Sequence, residues 1–179
     1  RVRKSAVSAV FQTSLLDASA SVVTDFNHTI RFDPLAYPKR WDCPANYKWQ
    51  RHFYVIPGDL PHKRRDGSLA EEFLCAVALD QHSGVEGWVR NLVHDSQFWL
   101  PTPTGRTYPD FIALLKDGRF LVVEYKGGDR VSNADSRMKA AIGEAWARAS
   151  DGRCLYLMAT APAEAEGLSV DAQIQRAIR

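Results

Sequence analysis

The sequence predicts an α/β sandwich: a mixed central sheet of about four core strands with helices on both faces, preceded by an irregular β-rich segment. Three observations carry this reading. Residues 110–115 and 119–126 are apolar runs joined by Lys116-Asp117-Gly118, and Asp-Gly between such runs is a strong hairpin signal. Residues 134–149 carry Met138, Ala141, Ile142, Ala145 and Trp146 at i, i+3, i+4, i+7 and i+8, one face of a helix. Residues 154–159 then form another short apolar run after Asp151-Gly152. The run at 119–126 is apolar on both faces until its end, as befits a central strand covered by helices.

The remaining elements follow in order. Residues 1–20 are rich in Ala, Ser and Val and predict a short helix. Between 24 and 60, prolines at 34, 38, 44 and 57 alternate with aromatics at 26, 32, 37, 41, 47, 49, 53 and 54. Prolines at this density break helices, while the aromatics demand burial, so short strands and packed loop are expected, with the best strand at 49–56. The charged turn at 62–67 divides a basic N-terminal segment (1–65) from a second domain (66–179). Ser68 and Glu71, three apart, predict a capping box at the start of a helix carrying Phe73, Ala76, Val77 and Leu79. Residues 88–92 are short and ambiguous, 98–101 read as a strand, and Gly127-Gly128 closes the strand before them.

Composition narrows the function classes. With 45% apolar and 25% charged residues in 179, the chain has material for a sizeable core and lacks the bias of disordered or fibrous proteins. No apolar run approaches the roughly 20 residues that span a bilayer. Three scattered cysteines, Cys43, Cys75 and Cys154, form neither a disulfide framework nor a zinc motif, which suits a reduced, cytoplasmic setting. The start Arg1-Val2-Arg3-Lys4, without methionine, suggests a piece of a longer protein. The formal charge of +2 is uneven: residues 1–65 hold 11 Lys/Arg against 5 Asp (+6), and residues 66–179 hold 12 against 16 acids (−4). A basic half points to an acidic partner such as nucleic acid.

The acidic half carries the chemistry. Asp110 opens one strand of the hairpin and Glu124-Tyr125-Lys126 closes the other, so antiparallel pairing brings Asp110 and Glu124 to the same sheet edge. Glu124 and Lys126, two apart, share a face. Two carboxylates so close repel unless a cation lies between them. Oxygen donors without His or Cys favour Mg²⁺ or Mn²⁺, and a neighbouring lysine can orient water or stabilise charge on phosphate. The five histidines show no ligand spacing, so HNH-type and Ser-His-Asp chemistry find no support. Trp88, Trp146 and Met138 read as core, Asn91 as a turn-stabilising residue, and Tyr108 as a packing residue.

Pro109-Asp110 followed by Glu124-Tyr125-Lys126 at the end of an apolar strand resembles the PD-(D/E)xK nuclease motif. Residues 71–76, Val85, Trp88, Asn91, residues 98–100, 108–111 and 123–127 extend the resemblance to the C-terminal endonuclease domain of type III restriction-enzyme Res subunits. It covers about 50–160 of the chain. It implies a restriction-endonuclease-like fold and a Mg²⁺- or Mn²⁺-dependent DNA endonuclease of a phage-defence system. The implied metal ligands are Asp110, Glu124 and the Tyr125 main-chain carbonyl, with Lys126 the catalytic lysine. A helix glutamate falls best on Glu72, with Glu71 as the alternative. Arg130, Arg137 and Lys139 are weak candidates for phosphate contacts. The implied partners are double-stranded DNA, an ATP-dependent helicase motor in the same full-length chain and a methyltransferase subunit. No Walker-type GxxxxGK[ST] occurs in these residues. A stand-alone repair nuclease and a catalytically silent domain that binds DNA or docks a partner are the alternatives.

Overall fold

The predicted hairpin is the centre of the sheet. β4 (Phe111–Leu115) and β5 (Phe120–Lys126) pair antiparallel from Phe111↔Val123 to Leu114↔Phe120. Gly118 takes the left-handed conformation that the turn requires, at φ 86°, and Asp117 accepts the Arg119 amide across it. The computed structural model describes residue 30 and residues 32–93, 98–103, 105–127 and 134–179. The helix expected within 1–20, Gly128 and Arg130 lie outside them.

Around the hairpin stand β1 (Val85–Arg90), antiparallel to β4, and β6 (Cys154–Thr160), parallel to β5, in the order β1-β4-β5-β6. The sheet is therefore mixed, as expected. A parallel pair needs a crossover, and helix α2 (Ala134–Ala149) supplies it. Alternation along the strands splits the core into two layers. Phe111, Ala113, Leu121 and Val123 meet Phe73, Ala76 and Leu79 of helix α1 (Glu71–Gln81), together with Ile174 of helix α3 (Val170–Ala177). On the opposite face, Ile112 and Val122 meet Ile142 and Trp146 of α2, with Met138 beside them. Helices thus cover both faces.

Several local expectations need correction. Of residues 88–92, ambiguous in sequence, 88–90 form the end of β1, which stops at Arg90. The strand expected at 98–101 is β2 (Leu100–Thr102), which pairs with β3 (Gly105–Thr107) in a separate ribbon outside the main sheet. No strand forms at 49–56. Among the described residues before 66, pairing is confined to isolated bridges such as His52↔Trp88. Aromatic burial takes the place of a longer ladder. Trp49 packs edge-on against Phe73 and Trp88, Tyr37 stacks on Tyr54 at 4.0 Å, and Cys43 and Leu60 enter the core. The capping box does not form either. α1 begins at Glu71 after an N-cap at Ala70 with no side-chain bond, and Ser68 donates to Asp66 instead. α3 lies in residues that gave no prediction. Ser169 caps it, and Gln173 hydrogen-bonds both main-chain groups of Thr160 at the end of β6.

Asp80, buried at the end of α1, ties the irregular segment to the sheet. Its carboxylate accepts the amides of Gln50 and Arg51 and the indole N–H of Trp88. Loss of such an acceptor strands several buried donors at roughly 1–3 kcal/mol each. Asp80→Ala is expected to lower stability by about 3 kcal/mol or more, measured by urea unfolding. An unchanged midpoint would show that the segment is held by aromatic contacts alone.

Candidate active site

Beyond the Phe111↔Val123 pair, the next residues on the two strands are Asp110 and Glu124. The structure brings them together with Lys126 and Glu72 along one open cavity of about 400 Å³. Glu124 is almost fully buried, and its Oε1 pairs with Lys126 Nζ at 2.9 Å. Lys139 of α2 approaches the same oxygen at 3.4 Å and Asp135 at 3.5 Å. Lys139, expected as a phosphate contact, therefore faces into the acidic cluster. Arg137 is exposed on α2. Glu71 and Glu72 both line the cavity: Glu72 shares Arg90 with Asp110, whereas Glu71 pairs with Arg64 at 2.5 Å.

Arg90 is the residue that sequence reasoning missed. Its guanidinium donates to Glu72 Oε2 at 2.7 Å and to Asp110 Oδ1 at 2.8 Å, and lies 5.0 Å from the centre of the Phe111 ring. Its side chain is 8% exposed, and Nε has no hydrogen-bond partner among the described residues. Its carboxylate partners lie 18 and 20 residues away, and nothing local in Trp88-Val89-Arg90 marks them. Asp110 is clamped from both sides, since its Oδ2 accepts the Tyr125 amide at 2.8 Å. Asn91, read as turn-stabilising, is buried and fixes the approach to Asp110. Its side-chain amide donates to the carbonyls of Pro109 and Phe98, and its main-chain N–H to that of Asp110.

The electrostatics follow from burial. Burial raises the Glu124 carboxyl above the usual glutamate range, Asp110 raises it further, and the two lysines only partly offset this. Glu72 is also raised, first by burial and then by repulsion from Asp110 and Glu124, against the pull of Arg90. All three cysteines are buried and unpaired, and burial raises their thiols, which argues against thiolate chemistry. Burial takes His52 the other way, down to about 4.

Could the group hold a divalent cation? Among the described residues, no three Asp, Glu, His or Cys side chains stand close enough to hold a metal as they are. Arg90 and the lysines engage the carboxylates instead. The donor chemistry nevertheless fits. Glu72, Asp110, Glu124 and the main chain of Tyr125 offer only hard oxygens on one cavity. Two of those carboxylates are held above their usual range, in want of more positive charge. No helix among the described residues is long and apolar enough to cross a membrane. Comparison with protein-family models, curated proteins and solved structures finds no match.

Two outcomes are expected. Arg90→Met leaves two carboxylates without their cation and should cost about 3–5 kcal/mol by urea unfolding; near-neutral behaviour would mean the bridge is not formed. Because the folded Glu124 carboxyl binds its proton more tightly than the unfolded chain does, its contribution falls as pH rises above the ordinary value of 4.5. His52 works oppositely, losing stability as pH falls from 6.5 toward 4, so the comparison is made between variants. The melting temperature of Glu124→Gln should gain on that of the parent as pH rises from about 5 to 8. A constant difference would contradict the raised carboxyl.

Proposed function

We propose that this chain is a metal-dependent nuclease domain of the PD-(D/E)xK kind, with a restriction-endonuclease-like fold, that hydrolyses DNA phosphodiester bonds. The observation that carries the reading is the convergence at one cavity of Asp110, Glu124, Lys126 and Glu72, from two antiparallel strand ends and a helix. Mg²⁺ or Mn²⁺ would be held by Asp110, Glu124, the Tyr125 carbonyl and Glu72, supplying Lewis-acid stabilisation and a more acidic water.

The chain's own residues do the rest. Asp110, held by Arg90 and the Tyr125 amide, is a fixed acceptor. Lys126 donates one N–H to Glu124 and keeps further donors for a water or a phosphate oxygen at the cavity. Its charge favours the negative charge that builds on phosphorus-bound oxygen. Phosphodiester hydrolysis demands accelerations near the top of the enzyme range, about 10¹⁵ or more, which one general base could not supply.

The resemblance extends the proposal to a type III restriction or related phage-defence enzyme acting in the cytoplasm. Double-stranded DNA would be the substrate, a helicase motor would lie elsewhere in the full-length protein, and a methyltransferase subunit would be a partner. A second reading, a silent domain that binds DNA or docks a partner, draws on Arg90, which already neutralises Glu72 and Asp110 from within.

Plasmid nicking with Mn²⁺ separates the two. Lys126→Ala should lower cleavage about 100-fold or more; because it leaves buried Glu124 to Lys139 alone, its melting temperature falls as well and the rate is read at a temperature where the variant stays folded. Glu72→Gln should lower it about tenfold or more, whereas Glu71→Gln should leave it near the parent rate. Parent-level cutting by Lys126→Ala would remove the mechanism. No cutting by the parent chain, alone or within its full-length protein, would favour the silent domain.

A further inference from the structure

The cavity that holds the acidic cluster is bordered at Pro61, Arg64 and Ala70 by a basic hairpin that the catalytic reading does not use. Residues 62–70 fold back as a tight hairpin. Arg64 N–H donates to Ser68 O, Ala70 N–H to His62 O and Gly67 N–H to Arg64 O, with a Lys63↔Leu69 bridge. Gly67, at φ 84°, allows the reversal. The base is anchored: Leu60 and Ala70 are buried, and the His62 ring packs edge-on to Phe73 of α1 at 4.7 Å. The outer part carries Lys63, Arg64 and Arg65, all exposed. Arg64 lines the cavity that also holds Asp110, Glu124 and Lys126. Asp66, the acid of the turn, is committed to Ser68. Among the described residues, Arg64 pairs with Glu71, while Lys63 and Arg65 make no ion pair.

Lys63 and Arg65 are the chain neighbours of Arg64, which lines the cavity, and folding gives no reason for two exposed cations on so firmly anchored a loop. Cations at the rim of a site whose walls repel anions are what a polyanionic substrate needs to approach. We propose that the 62–70 hairpin is the phosphate-backbone grip of this site, with Lys63 and Arg65 contacting phosphates of duplex DNA that flank the bond presented to the pocket. The choice of DNA rests on the nuclease reading above; the grip itself rests on the hairpin. Such contacts are electrostatic and independent of sequence, so their signature is salt dependence.

The test is fluorescence anisotropy of a labelled DNA duplex of arbitrary sequence with the full chain, in EDTA, over a salt series. For two phosphate contacts, Lys63→Gln with Arg65→Gln should flatten the slope of log affinity against log salt by about 1.8. It should also weaken binding by roughly tenfold or more near 0.1 M salt. Each single variant should show about half the slope change. Lys116→Gln, in the turn at the opposite end of the β4–β5 hairpin, is the control and should change neither quantity. Parent-like affinity and slope in the double variant would overturn the proposal, as would a parent chain that binds no duplex. Hairpin-dependent binding without cleavage in Mn²⁺, by the chain alone and within its full-length protein, would support the grip while removing the nuclease reading.

Discussion

A guanidinium buried between two carboxylates governs this site. Taking Arg90 out of water costs several kcal/mol, and the cost is offset only while Glu72 and Asp110 stay ionised beside it. One side chain thereby locks the first turn of α1, the end of β1 and the start of β4. The unpaired Nε leaves the compensation incomplete, so the bridge depends on both carboxylates. Around it Glu72, Asp110 and Glu124 face Arg90, Lys126 and Lys139, and Asp135 shares Lys139, so one negative charge is left over. A divalent cation would carry this cluster to a positive charge that a phosphate diester could complement. On the proposed reading, a metal would bind weakly alone and more tightly with DNA.

The surrounding frame is built to keep Asp110 still. Asn91 bonds the carbonyl before it, Tyr125 bonds its carboxylate, and Asp80 holds Trp88 two residues before Arg90. Glu72 is held less firmly, because its carboxylate is about a third exposed at the cavity. The geometry thus divides into one fixed acid, one buried acid engaged by lysines and one partly exposed acid. A site that must accept a cation and a phosphate together benefits from keeping one acceptor rigid while others adjust.

What could be read in the sequence was local. The hairpin, the α2 crossover, the last strand and the proximity of Asp110 to Glu124 and Lys126 all follow from periodicity and strand pairing. The 49–56 segment was misread because its aromatics satisfy burial without a ladder, and propensity cannot tell those apart. Ser68 suited a capping box, yet the turn at 64–67 claimed it first. Arg90 was missed for a different reason. Its meaning lies in partners 18 and 20 residues away, and no local pattern records a long-range ion pair. The mixed sheet was legible; its outer strand β1 and the C-terminal helix α3 were not.

The proposed function turns on whether the oxygens at the ends of β4 and β5 take a divalent cation despite Arg90. Anomalous diffraction from crystals soaked in Mn²⁺ tests it most directly. The account predicts a peak bonded to both Asp110 and Glu124, with Arg90 still holding the second oxygen of Asp110. A well-ordered soaked crystal with no peak at those carboxylates, and with Arg90, Lys126 and Lys139 still engaging them, would contradict it.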